Sequence, residues 1–155
     1  MKFDSLNEII DFAIEKEVEA AEFYQSISKQ ENISGTKEMF ADFASEEKKH
    51  EKMLLSFKST GVTDSMNDYQ LKWITDIKRS NYVDEIEYKP GMAYNELLLL
   101  AMKREEGALA LYNKLLEEAV TDGAKTLFKM LCQEEAKHKL YLETLYDDYM
   151  AEMGD

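Results

Sequence analysis

Two short stretches decide the fold: EEKKH at residues 46–50 and EEAKH at residues 134–138. Each contains a Glu-x-x-His motif, and the two copies lie 88 positions apart and end in the chain's two histidines, His50 and His138. A single copy would carry little weight, because so short a motif often occurs by chance on a helix surface. Two copies at a fixed offset predict a duplicated unit in which the repeated positions share a chemical role.

The repeat extends upstream of both motifs. A glutamate lies 30 positions before each motif glutamate, and a tyrosine follows it seven positions later: Glu17 and Tyr24 in the first copy, Glu105 and Tyr112 in the second. Glycine, lysine and apolar positions match at the same offset, including Phe40 with Phe128. The matching positions therefore include both the expected core and the candidate chemistry.

The apolar residues around the motifs recur at alternating spacings of three and four, which predicts amphipathic helices. We expect helix pairs over residues 5–59 and 93–150, joined by a long crossover over residues 60–92. One short helix is expected near residues 66–77 of the crossover, because a structureless connection of that length is unusual. Together these elements predict an all-α four-helix bundle made of two repeated helix pairs, within a single domain over residues 1–155.

Local signals define the helix ends. Ser5 and Glu8 form a predicted capping box at the start of the first helix. The predicted turns are residues 31–34 in the first pair and residues 121–123 in the second. Turns this short predict that the helices of each pair are antiparallel neighbours.

Composition limits the class of protein and its partners. The formal net charge of −13 argues against binding to nucleic acid or to an anionic membrane, since both repel a polyanion, but it favours cations. A single cysteine excludes an internal disulfide and a Cys-x-x-Cys metal site, which favours a reducing cytoplasm. No signal-peptide pattern begins the chain, and the apolar run at residues 97–102 is too short to span a bilayer. We expect a cytoplasmic protein.

Four glutamates fall on the predicted apolar stripes, where a carboxylate loses its hydration. Burial of an ion costs roughly several kcal/mol unless the charge is paired or bound to metal. No Lys or Arg occupies these stripes, and protonation of the carboxylates would leave the two imidazoles unexplained. Two divalent cations would balance four carboxylates. The predicted metal ligands are Glu17, Glu47, His50, Glu105, Glu135 and His138.

The donor types narrow the choice of metal. Residues three apart face the same side of a helix, so each motif glutamate can bridge two ions while the histidine binds one of them. Mixed oxygen and nitrogen ligands favour iron or manganese over zinc. Ligand counting leaves iron and manganese as alternatives.

Four further residues are candidates for a supporting role around the ligands. Tyr24 and Tyr112 are expected to be core residues whose hydroxyl groups contact a nearby carboxylate. Glu46 and Glu134 are candidates to orient the histidine of the opposite motif. A solvated surface position is the alternative interpretation of both glutamates.

These residues resemble the ferritin-like superfamily, and most closely its rubrerythrin branch. The resemblance rests on Glu17-x-x-Ala20-x-x-x-Tyr24, Glu47-x-x-His50, Glu105 and Glu135-x-x-His138. It implies a ferritin-like bundle that holds a non-haem di-iron centre of the Fe-O-Fe type, with two Glu and two Glu-x-x-His motifs contributed by four helices. It further implies that Glu47 and Glu135 bridge the ions and that Glu17 and Glu105 are terminal ligands.

The resemblance also implies an activity. Rubrerythrins reduce hydrogen peroxide with electrons from a rubredoxin-like iron site, which links them to oxidative stress. This sequence lacks Cys-x-x-Cys pairs, so an external, rubredoxin-like donor is expected. Ala108 stands where full-length rubrerythrins carry an additional glutamate.

We therefore expect a di-iron oxidoreductase that reduces peroxide or O₂, acting as a homodimer. The alternative is a ferroxidase that stores or buffers iron without dedicated peroxidase turnover.

Overall fold

The computed structural model describes residues 5–32, 34–62, 66, 68, 69, 71, 74, 76 and 87–153. Its long elements are four α-helices: α1 (Leu6–Gln30), α2 (Ser34–Thr60), α3 (Tyr94–Glu118) and α4 (Asp122–Glu152). No β-strand occurs within these ranges. The all-α prediction is confirmed, and the predicted helix pairs agree with the observed bounds to within two residues at each end.

Side chains and backbone groups close the ends of the first helix pair. The Ser5 side chain accepts a hydrogen bond of 3.2 Å from the backbone N–H of Glu8, as the predicted cap requires. Beyond the end of α2, Gly61 has a φ of 76° and donates its N–H to the carbonyl of Phe57 at 2.8 Å. Glycine suits this left-handed position because it has no Cβ to clash with the carbonyl.

The contacts of the chain divide it into two compact units. The first contains residues Met1–Asp68 and Ala119–Leu127, and the second contains residues Tyr69–Glu118 and Phe128–Asp155. The single-domain assignment stays a prediction.

In the first unit, α1 packs against α2 through an aromatic cluster. The Tyr24 ring centroid lies 5.9 Å from that of Phe40 and 5.5 Å from that of Phe43, and Phe40 and Phe43 meet edge to face. Ile10, Ala13 and Ile27 are fully buried on the same face of α1. These residues recur at spacings of three and four, so the apolar stripe predicted for α1 is the buried face.

In the second unit, α3 packs against α4. Tyr112 and Phe128 repeat the pairing of Tyr24 and Phe40, with ring centroids 6.3 Å apart. Leu98, Ala101 and Leu115 of α3 are fully buried. The repeat in the sequence is therefore also a repeat in the core.

Two details differ from the sequence prediction, and a third prediction falls largely outside the described residues. The turn expected at residues 121–123 is earlier, because α4 already begins at Asp122 and Thr121 Oγ1 accepts a hydrogen bond from the N–H of Ala124 at 3.1 Å. The crossover helix expected near residues 66–77 lies largely outside the described residues, although Met66 and Asp68 are helical. Ala21 is buried and Ala20 is only half-buried, so the stripe of α1 is shifted slightly at this turn.

Within the part of the chain that the structure describes, no helix is both long enough and apolar enough to cross a bilayer.

Candidate metal centre

All four predicted ligand glutamates are buried. Their exposed fractions are 3% for Glu17, 2% for Glu47, 2% for Glu105 and 0% for Glu135. Acidic residues are rarely buried to this extent unless their charge is compensated.

Glu106, the neighbour of Glu105, tests which residues of α3 lie on its buried face. Glu106 is 30% exposed at its side chain and pairs with Lys103 at 2.8 Å. Glu105, one position earlier, is buried, so the stripe assigned from the sequence has the correct phase.

In the first unit, two carboxylates and one imidazole form a compact group. His50 Nδ1 lies 3.6 Å from Glu17 Oε2 and 3.7 Å from Glu47 Oε2. Glu17 is contributed by α1, while Glu47 and His50 lie one helical turn apart on α2. One ligand atom from each of the three residues lies within 4.8 Å of the other two, and all three are buried. We call Glu17, Glu47 and His50 the first ligand group.

The second unit holds the corresponding second ligand group: Glu105, Glu135 and His138. His138 Nδ1 lies 3.6 Å from Glu105 Oε1. One ligand atom from each of the three residues again lies within 4.8 Å of the others. The side chain of His138 is 15% exposed, whereas that of His50 is 2% exposed, so the two groups differ in their access to solvent.

These separations fit a shared cation. Two atoms that each lie about 2.1 Å from one ion are at most about 4.2 Å apart. The Nδ1-to-carboxylate distances of 3.6 and 3.7 Å satisfy this limit in the first group, as does 3.6 Å in the second. Carboxylate and imidazole donors of this kind could hold a metal ion.

Without a metal ion, the first ligand group favours a bound proton. The pKa of the Glu17 carboxyl is raised from 4.5 to about 8, and burial is the largest cause. The hydrogen bond to Glu47 and the negative charge of Glu47 contribute to this increase, while His50 opposes it. A cation that binds at neutral pH must therefore displace a proton from Glu17.

The predicted supporting tyrosines are buried in the core of their own units. Tyr24 and Tyr112 are each 1% exposed, and their rings pack on phenylalanine within their own unit. The expectation that they are core residues is confirmed. The predicted contact between each hydroxyl and a carboxylate stays a prediction.

Glu46 and Glu134 have partners that the sequence did not suggest. Glu46 pairs with Lys49 at 3.0 Å. Glu134 pairs with Lys137 at 3.0 Å and accepts a hydrogen bond of 2.7 Å from the hydroxyl of Tyr69 in the crossover. The predicted contact of each glutamate with the histidine of the opposite motif joins the two units and stays a prediction.

An ion cluster around a buried lysine, next to the second ligand group, was not predicted. Lys139 follows His138 directly, is 3% exposed, and donates to Asp76 at 2.6 Å and to Glu143 at 3.2 Å. Burial lowers the pKa of the Lys139 ammonium, but the two carboxylates outweigh this effect, so the pKa is raised and Lys139 keeps its charge. Glu143 is fully buried. The spacing of four between Lys139 and Glu143 is a sequence signal for an ion pair, but it gives no indication that the pair is buried.

Comparisons with known proteins agree with this geometry. The rubrerythrin family model matches residues 8–146. Among solved structures, a hypothetical protein from Pyrococcus furiosus is 28% identical, with a TM-score of 0.62 over 93% of this chain and 89% of that chain. No curated protein matches the chain.

The family match covers nearly all of the described helices and both ligand groups. It confirms the expectation of a ferritin-like, all-α fold made of two repeated helix pairs. The chain belongs to the rubrerythrin family, within the ferritin-like superfamily.

Proposed function

We propose that this protein is a non-haem di-iron oxidoreductase of the rubrerythrin type, which reduces peroxide or O₂. The observation that carries the proposal is the pair of matched ligand groups, each with two buried carboxylates and one imidazole within 4.8 Å. The family membership supports iron as the metal. Manganese is compatible with the same donors.

In the proposed centre, the two ligand groups would hold two iron ions. Glu47 and Glu135 would be the shared ligands, Glu17 and Glu105 the terminal ligands, and His50 and His138 would each contribute one imidazole. The four carboxylates would neutralise the charge of two divalent ions. Such a pair of reduced ions would supply the two electrons that the reduction of peroxide requires.

The residues of the chain prepare this chemistry in two ways. Burial of the carboxylates removes bulk water from the first ligand group and strengthens their attraction for a cation. The carboxyl group of Glu17 holds a proton in the metal-free protein near neutral pH and releases it when metal binds. Electrons would come from an external, rubredoxin-like donor, and the active form would be a homodimer.

A variant in both bridging positions tests the ligand assignment. We expect the purified wild-type protein to bind about two Fe(II) ions per chain under anaerobic conditions. The Glu47→Ala, Glu135→Ala variant should lose this binding, as measured by elemental analysis after gel filtration. A variant that folds normally and keeps its full iron content would refute the assignment.

The alternative function is iron storage or buffering through ferroxidase activity. The net charge of −13 favours it, because an acidic protein attracts cations. Size in solution and kinetics distinguish the two functions. A large hollow assembly that accumulates ferric iron supports storage, whereas a dimer whose iron is oxidised rapidly by peroxide supports the oxidoreductase.

A further inference from the structure

Two residues of the crossover contact α4 on either side of its metal-ligand turn. Tyr69 contacts the residues immediately before Glu135: its hydroxyl donates to Glu134 at 2.7 Å and accepts from Gln133 Nε2 at 3.0 Å. Asp76 contacts the residue immediately after His138, through the bond of 2.6 Å from Lys139. The turn that carries Glu135 and His138 is thus fixed at both of its ends.

The contacts at both ends are part-buried, and their α4 side is the more buried one. Gln133 is 7% exposed and Lys139 is 3% exposed. Lys137 adds to the first contact, since its ammonium lies 5.4 Å from the centroid of the Tyr69 ring. Fully buried Glu143 adds to the second contact, at 3.2 Å from Lys139. Polar contacts that are partly removed from water are stronger than fully exposed ones.

The repeat provides an internal comparison. The residues of α2 that correspond to Gln133, Lys139 and Glu143 are Ser45, Glu51 and Leu55. Ser45 and Leu55 are exposed and Glu51 is half-buried. At these three positions the buried polar or charged residues of α4 correspond to exposed or half-buried residues of α2, while the ligand residues are the same in both helices.

We propose that Tyr69 and Asp76 are positioning residues for the second ligand group: by holding α4 at residues 133–139, they fix the orientation of Glu135 and His138 for a divalent cation. This inference depends on the metal-binding role proposed above. Its consequence is that the two ligand groups, although identical in residue type, differ in what sets their affinity. The first group depends on the packing of α1 against α2, and the second depends also on the crossover.

The two histidines make the inference measurable, because each ligand group contains one of them. We would titrate Zn(II), a diamagnetic ion, into metal-free protein labelled with ¹⁵N-histidine and follow both imidazole signals by NMR. A His50→Gln variant assigns the two signals. The readout is the Zn(II) concentration that half-shifts His138 divided by the concentration that half-shifts His50.

In the Tyr69→Phe, Asp76→Asn variant, we expect this ratio to rise about tenfold. Loss of groups that orient metal ligands typically lowers metal affinity by roughly 10- to 100-fold. The Asp76→Glu variant keeps wild-type Tyr69 and a carboxylate for Lys139. Its ratio should be close to that of the wild-type protein. The matched control is Asp11→Asn, which removes an exposed carboxylate that pairs with Lys58 in the first unit, and it should leave the ratio unchanged.

The outcomes separate this inference from the proposed function. A purely structural role for Tyr69 and Asp76 would lower thermal stability and shift both histidines equally, so an unchanged ratio overturns the inference while leaving the metal centre intact. If Zn(II) shifts neither histidine of the wild-type protein, both proposals are overturned. The Tyr69→Phe single variant, which loses only one hydroxyl group, gives the same test if the double variant does not fold.

Discussion

At the scale of single residues, Glu105 and Glu106 are adjacent in sequence but differ in environment. Glu105 is 2% exposed and lies in the second ligand group, whereas Glu106 pairs with Lys103 near the surface. Only the first should bind metal. The two positions therefore provide a matched pair of substitutions with the same chemistry.

We predict that Glu105→Gln weakens Fe(II) binding and that Glu106→Gln does not. Glutamine keeps the size of glutamate but removes the negative charge that holds a cation. Since loss of a group that only orients a ligand costs roughly 10- to 100-fold in affinity, loss of a direct ligand should cost at least as much. Anaerobic titration calorimetry would measure both affinities. Equal affinities in the two variants would contradict the assignment of Glu105.

At the scale of the helices, two glycines have opposite conformations. Gly61 has a φ of 76° after the end of α2, in the region that side chains rarely adopt. Gly107 lies within α3 on an exposed surface, and a Cβ there would meet nothing within 4 Å. The same substitution by alanine should therefore have effects of opposite sign.

We predict that Gly61→Ala destabilises the protein by about 1–2 kcal/mol, because alanine is strained in the left-handed region. Gly107→Ala should stabilise it by about 0.5–1 kcal/mol, because alanine loses less backbone entropy in a helix. Urea unfolding followed by circular dichroism measures both changes in the free energy of unfolding. A loss of stability at Gly107 would show that this face of α3 is covered in solution.

The elements that were predictable from sequence are those with a regular period. The alternating spacing of apolar residues identified the four helices, and the buried Glu17, Glu47, Glu105 and Glu135 show that its phase was correct. The contacts of the crossover were not predictable, since residues such as Tyr69 and Asp76 follow no period. Their partners on α4 are 63 to 65 positions away, and nothing in the sequence links them.

At the scale of the whole molecule, the buried carboxylates make metal-free stability depend on pH. Burial raises the pKa of Glu17 to about 8, above its ordinary value of 4.5. Between these values the folded protein holds a proton that the unfolded chain releases. Stability falls with rising pH wherever the folded state binds more protons.

We therefore predict that the free energy of unfolding of the metal-free protein decreases as pH rises from about 4.5 to about 8. Urea unfolding in the presence of a chelator, at several pH values across this window, measures the slope. The Glu17→Gln variant is the control and should have a smaller slope, because glutamine does not titrate. Added Fe(II) should reduce this decrease in the free energy of unfolding, since an ion that binds only the folded state stabilises it. An equal slope in both proteins would contradict the role of Glu17.

The duplication explains how much of the candidate site the sequence revealed. A fixed offset of 88 residues marked the same three candidate ligand positions in both halves, and the structure brings them together within each unit. The offset could not show how the halves differ. Lys139 occupies the position in the second half that Glu51 occupies in the first. His138 is more exposed than His50, although the two histidines are equivalent in the repeat. The different surroundings of the two ligand groups become visible only when the structure shows which residues contact them.

The turn between α1 and α2 is closed by two reciprocal hydrogen bonds: Ser28 Oγ donates to the Lys37 carbonyl at 2.8 Å, and Lys37 Nζ donates to the Ser28 carbonyl at 2.7 Å. These partners are nine positions apart, so little chain entropy is lost in bringing them together. Contacts that are local in sequence form fastest during folding. We expect the amides of this hairpin to acquire hydrogen-exchange protection before those of α4 beside Tyr69 and Asp76, so the first ligand group would be assembled while the second was still forming.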